Sequence, residues 1–133
     1  MKAMASKVPR TLNVGAELIV ADNSGARTVR ITGVKRGKNK KGQQQSTRMG
    51  ELIKVSVRKG PVEMKKQLFW AVVIRQKKEF RRKTGERVCF EDNAAVLLKD
   101  EDGNPKGTQI KGSISKEVAD RWPFLAKIAP MIV

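Results

Sequence analysis

The chain has 133 residues, enough to bury a core without disulfides or metal, and its 29 Lys/Arg against 13 Asp/Glu give a formal net charge of +16. Having no histidine and a single cysteine, Cys89, it lacks the commonest general base, cannot form an intrachain disulfide and cannot supply a structural zinc site. The charge is unevenly spread: residues 35–48 hold six Lys/Arg and no acid, residues 75–90 hold seven against two, and residues 91–133 hold six against seven.

In chain order, "GAELIVAD" at Gly15–Asp22 predicts a short strand that runs into Asp22–Gly25, "DNSG", a cluster suited to a tight turn. "ARTVRITGV" alternates, with Thr28, Arg30 and Thr32 opposing Val29 and Ile31, the period of a strand with one wet face. "KRGKNKKGQQQSTR", Lys35–Arg48, has no aliphatic or aromatic side chain and predicts a basic loop. "ELIKVSVRKG" alternates again, Ile53, Val55 and Val57 against Lys54, Ser56 and Arg58. "LFWAVVIRQ" is continuously apolar, which suits a strand buried on both faces or crossing beneath a helix. "RQKKEFRRKTGER", Arg75–Arg87, predicts a projecting hairpin arm with "KTGE" at its tip. "ERVCF" and "NAAVLLK" read as further strands joined by a turn or bulge at Glu91–Asn93, and "DEDGNPKG" as a hairpin loop with Asp102-Gly103 at its tip. From Ser113, "SISKEVADRW" offers a serine N-cap, acids in the first turn and apolar spacing at Val118, Ala119 and Trp122, until Pro123 stops it; "FLAKIA" adds a turn before Pro130.

Short strands at intervals of about ten residues indicate an all-β small barrel or sandwich, here followed by a short helical tail. The expected layout is one domain over 1–133, with an N-terminal extension at 1–14, a barrel at 15–112 bearing basic arms at 35–48 and 75–87, and a tail at 113–133. No secretory leader is visible, and the longest apolar run, Leu68–Ile74, is far too short to span a membrane. A soluble, cytoplasmic protein is expected, with Cys89 as a buried structural thiol between Val88 and Phe90.

Catalytic readings lose support in turn. In "GKNKKGQQ" the glycines have phosphate-loop spacing, but Gln43 and Gln44 stand where Lys and Ser/Thr are required. In "DEDGN" the glycine comes two places early for a calcium loop, and Lys111 occupies the place of the closing Glu. No cofactor, metal or small-molecule substrate is expected.

A cationic excess gathered on part of a chain points instead to a polyanion, since solubility alone is better served by acids. Neither alternating strand carries an aromatic residue, so single-strand stacking is disfavoured. Phe69, Trp70 and Phe90 read as core, and Phe80 is the one candidate to touch a base or a neighbouring protein. The one helical signal lies in the near-neutral tail, which argues against reading of DNA grooves. The expectation is phosphate and shape recognition of structured RNA. The tail's apolar groups, Trp122, Phe124, Leu125, Ile128, Met131, Ile132 and Val133, are expected to cover an open barrel end, with any exposed remainder available to a protein. The competing reading is a docking module whose apolar tail recruits a partner while the basic face is incidental.

"ADNSGAR" (Ala21–Arg27), "GELIKVSV" (Gly50–Val57), "AVVIRQKKEFRRKTGERVCFEDNAAVLL" (Ala71–Leu98) and "GNPKGT" (Gly103–Thr108) together resemble the universal large-subunit ribosomal protein family numbered fourteen, from about Gly15 to the C-terminus. "MKKQ" at Met64–Gln67 and the ending "RWPFLAKIAPMIV" are more similar to its archaeal members. The resemblance implies a closed five-stranded β-barrel with a C-terminal helical section, bound to large-subunit rRNA and contributing to an intersubunit bridge with small-subunit rRNA. It implies as neighbours large-subunit protein three and a protein of the twenty-four-e type, and an anti-association factor numbered six on the same face. The rRNA contacts expected are Arg27, Arg30, Lys35, Arg36, Lys38, Lys40, Lys41, Arg48, Lys54, Arg58, Lys59, Arg75, Lys77, Lys78, Arg81, Arg82, Lys83 and Arg87. The protein contacts expected are Thr108, Gln109, Trp122, Phe124, Lys127 and Ile132. Gln109 and Ser113 depart from the Arg and Pro that family members often show there.

Overall fold

The two alternating stretches fold as their period dictates: Val29, Ile31, Ile53, Val55 and Val57 all turn inward and are each no more than 1% exposed. The computed structural model describes residues 7–35 and 41–133, so the expected contacts Arg36, Lys38 and Lys40 lie outside the described residues. In chain order the strands are β1 (Glu17–Val20), β2 (Thr28–Val34), β3 (Leu52–Lys59), β4 (Leu68–Arg75), β5 (Phe80–Arg81), β6 (Arg87–Val88), β7 (Ala94–Leu98) and β8 (Ser113–Ile114). Helices α1 (Lys116–Arg121) and α2 (Pro123–Ile128) and strand β9 (Met131–Ile132) complete the chain.

Strands β1, β2, β3, β4 and β7 close into a barrel in that order. Each neighbour pair is antiparallel except β1 and β7, which close the ring in parallel with Ile19 opposite Ala94 and Val20 opposite Ala95. The closed five-stranded barrel with a short helical tail is the architecture the family resemblance implied.

The described residues form two cores. Inside the barrel, Leu18, Val29, Ile31, Ile53, Val55, Val57, Ala71, Val73, Ala95 and Leu97 pack together. Leu12, from the stretch before β1, joins them at 1% exposure. Its carbonyl accepts from Thr47 N–H at 2.8 Å, so the barrel core recruits residues ahead of Gly15. Outside, Val72, Ile74, Val96 and Leu98 project from the other face of β4 and β7 and are covered by Ile114, Val118, Trp122 and Leu125, joined by Phe80. This explains the continuous apolar run of β4: one face fills the barrel and the other lies under the tail. The tail therefore covers the barrel wall, not the open end expected from sequence.

Two further details differ from expectation. Ser115, not Ser113, caps α1, because Ser113–Ile114 is held as a strand against Met131–Ile132. Pro123 both follows the end of α1 and occupies the first turn of α2, where its missing N–H costs nothing.

Candidate nucleic-acid interface

Topology brings the two basic segments together. Strand β3 runs antiparallel to both β2 and β4, so the connection that enters β3 and the segment that leaves β4 emerge at the same end of the barrel. Gln76 ties them there. Its fully buried side chain accepts from Met49 N–H at 3.0 Å and donates to the Lys78 carbonyl at 2.9 Å and the Lys7 carbonyl at 3.1 Å. Sequence reading passed over Gln76. The available signal was an amide at the end of a run buried on both faces, where a polar group must find partners.

The second segment forms the expected hairpin: Phe80 pairs with Val88 and Arg81 with Arg87, and Arg82 N–H donates to the Glu86 carbonyl at 2.8 Å. Its base is docked and does not stand free. Phe80 is 2% exposed inside the outer core, so it is not available to a base or a partner. The Arg82 guanidinium donates to Glu117 at 2.8 and 3.4 Å and to the Val133 carbonyl at 2.7 Å. Arg81 and Lys83 remain exposed on the arm.

The expected RNA contacts thus divide by what their charges already do. Arg75 is 9% exposed, donates bidentately to Asp92 at 2.8 and 3.1 Å, and reaches the Lys111 and Ser113 carbonyls at 3.0 and 2.9 Å. It braces the arm's root against the chain leading into α1. Arg48 is paired with Glu51 at 3.1 Å, and Lys41 is also engaged. Arg30 lies 3.7 Å from Glu17, Lys35 2.6 Å from Glu101 and Arg87 2.6 Å from Glu79, all half-exposed pairs of the kind that exchange partners at little cost. Lys54 sits over the Trp70 ring at 4.9 Å. Arg27, Arg58, Lys59, Lys77, Lys78, Arg81 and Lys83 are exposed, and among the described residues their side chains have no partner.

The expected protein contacts divide in the same way. Trp122 is 3% exposed and donates Nε1–H to the Gly50 carbonyl at 2.8 Å, so it serves the outer core and offers no docking surface. Phe124 and Ile132 are 43% and 48% exposed, and Lys127 lies 5.6 Å from the Phe124 ring centre. Thr108 and Gln109 are exposed and held in place by Asn23, whose Oδ1 accepts both their N–H groups at 2.8 and 3.2 Å. Beside it, Asp22 fixes the turn to β7 by accepting from Leu97 N–H at 2.9 Å. Cys89 is exposed, contrary to expectation: β6 ends at Val88, and Val88 and Phe90 pack against the core while Cys89 does not.

Comparison with known proteins places the same stretch of chain in one family. The family model for ribosomal protein L14p/L23e matches residues 11–133, a span that includes Leu12, the barrel, the arm and the tail. Over the full length of both chains, the sequence is 53% identical to large ribosomal subunit protein uL14 of Nanoarchaeum equitans and 50% identical to that of Methanothrix thermoacetophila. It is 47% identical, again end to end, to the uL14 of Methanocorpusculum labreanum. The chain belongs to the ribosomal protein L14p/L23e family.

Proposed function

We propose that this protein is a structural, non-enzymatic constituent of the cytoplasmic large ribosomal subunit, where it binds large-subunit rRNA through its phosphates. The observation that supports this most strongly is the set of exposed cations without a side-chain partner among the described residues: Lys77, Lys78, Arg81 and Lys83 in the basic arm segment, with Arg27, Arg58 and Lys59 elsewhere on the barrel. Lysine and arginine in such positions displace condensed counterions and let RNA segments approach one another. The arm from Lys77 to Lys83 supplies the main contact surface, and contact with small-subunit rRNA at an intersubunit bridge is part of the same reading.

A second surface is separate from the first. Phe124, Lys127 and Ile132 stand exposed on the tail, and Thr108 and Gln109 on the loop that Asn23 holds. These residues suit protein neighbours, for which the family resemblance offers large-subunit protein three, the twenty-four-e type protein and the anti-association factor. Sedimentation of the full chain with salt-stripped large subunits tests both surfaces. The wild type is expected to pellet with subunits and to be released by high salt. The F124S/K127E/I132S variant is expected to keep salt-sensitive rRNA binding while losing protein neighbours. Salt-resistant pelleting that this variant abolishes would support the docking-module reading instead.

A further inference from the structure

The barrel end opposite the arm carries its own group of unpaired cations. There β2 begins and β3 ends, and Arg27 N–H donates to the Lys59 carbonyl at 2.8 Å, which sets the two side chains at one edge. The chain then turns through Gly60 and Pro61. Lys65 N–H returns to the Pro61 carbonyl at 3.2 Å and Lys66 N–H to the Val57 carbonyl at 3.0 Å, so a single tight loop carries Lys65 back over the strand end. Gly25, Arg27, Lys59, Gly60, Pro61 and Lys65 line an open cleft of about 490 Å³. No acid lines it, and Arg27, Lys59 and Lys65 have no side-chain partner among the described residues.

The walls of the cleft meet at glycine. Gly25 has φ 105°, and a Cβ there would stand 3.2 Å from Pro61 Cγ; one on Gly60 would stand 3.1 Å from Ala26 Cα. Any side chain at either position would crowd the opposite wall. Three like charges around one hollow repel one another in the free protein, and an anion placed among them relieves that repulsion. Arginine supplies a fork for two oxygens and lysine a point charge, the combination suited to a phosphate.

We infer that this cleft is a discrete phosphate site that takes one or two adjacent phosphodiester groups of an RNA strand, apart from the strand bound by the arm. The inference rests on the rRNA reading above. Strand β3 has eight residues, so the two barrel ends lie roughly 25 Å apart at about 3.3 Å per residue. That distance exceeds the spacing of adjacent phosphates, so the protein clamps RNA at two separate places, one at each end.

Two measurements on the full chain test this. In an amide NMR titration with pyrophosphate at low ionic strength, the Gly25 and Gly60 resonances are expected to shift and saturate. The R27Q/K59Q variant, which alters two exposed and unpaired side chains, is expected to keep its unfolding midpoint and to weaken that binding at least about tenfold. Absence of a saturable shift at the two glycines, or an equal response in the variant, overturns the site. In hydroxyl-radical footprinting on large-subunit rRNA, the wild type is expected to protect two separate segments. R27Q/K59Q should lose one of them, and K78Q/R81Q the other. If R27Q/K59Q keeps both, the clamp is wrong while the rRNA reading stands. If the wild type protects nothing, the rRNA reading fails, and the pyrophosphate titration still decides the cleft.

Discussion

Arg82→Glu is expected to destabilise the fold by about 3 kcal/mol, whereas Arg81→Glu leaves the unfolding midpoint unchanged and weakens rRNA binding. These neighbouring arginines read alike in sequence. In the structure, Arg82 and Glu117 side chains are 15% and 14% exposed and 2.8 Å apart, and Arg82 also holds the Val133 carbonyl. Removing one partner of a largely buried pair leaves the other charge uncompensated, a loss of about 3–5 kcal/mol, and residual solvent contact places this case at the lower end. Reversal adds repulsion between two carboxylates. Burial raises the Glu117 carboxyl's pKa, but hydrogen bonds from the Ser115 hydroxyl and Arg82 outweigh it, and the group lies below its ordinary value of 4.5. A depressed carboxyl stabilises the folded state above its unfolded pKa, and that stability is lost as pH falls through the folded value. The stability gap between wild type and Arg82→Gln should therefore be full near neutrality and narrow as the solution is acidified below 4.5. Denaturant titrations across pH measure it, and an Arg82→Glu protein as stable as wild type would show that the contact contributes nothing.

Trp122→Ala is expected to cost more, about 3–5 kcal/mol, by opening a cavity in the outer core. The indole is 3% exposed, lies against the wall formed by β4 and β7, and donates to the Gly50 carbonyl. It also fills the space beside Gly103, where a Cβ would come within 2.8 Å of Cε3. Trp122→Phe keeps most of the apolar surface but removes the donor, and should cost about 1–3 kcal/mol for the unsatisfied carbonyl and lost volume together. Equilibrium unfolding of both variants checks the ordering. A Trp122→Ala loss below about 1 kcal/mol would mean that the tail does not cover the barrel wall in solution.

The barrel was legible where one face of a strand is wet. In β2 and β3, Arg30, Thr32, Lys54 and Arg58 alternate with buried aliphatic groups, so period and burial coincide. In β4 the run Leu68–Ile74 announces burial on two faces but does not say what supplies the second cover. That cover is Val118, Trp122 and Leu125, residues distant in the chain. The same limit applies to charge. A run such as "RQKKEFRRKTGER" identifies a basic arm, yet Arg75 and Arg82 are neutralised by Asp92 and Glu117, separated from them by 17 and 35 positions. Sequence therefore located the cationic segments and overcounted the cations free to act. It also missed Lys65, whose place at the cleft depends on the turn through Gly60 and Pro61.

Filter binding of the isolated full-length chain to large-subunit rRNA, repeated over a range of salt concentrations, bears most directly on the role assigned to the unpaired cations. If about six phosphates are neutralised, log affinity should fall linearly with log salt at a slope of about −4 to −5. A slope near zero, or no binding at low ionic strength, would contradict that role.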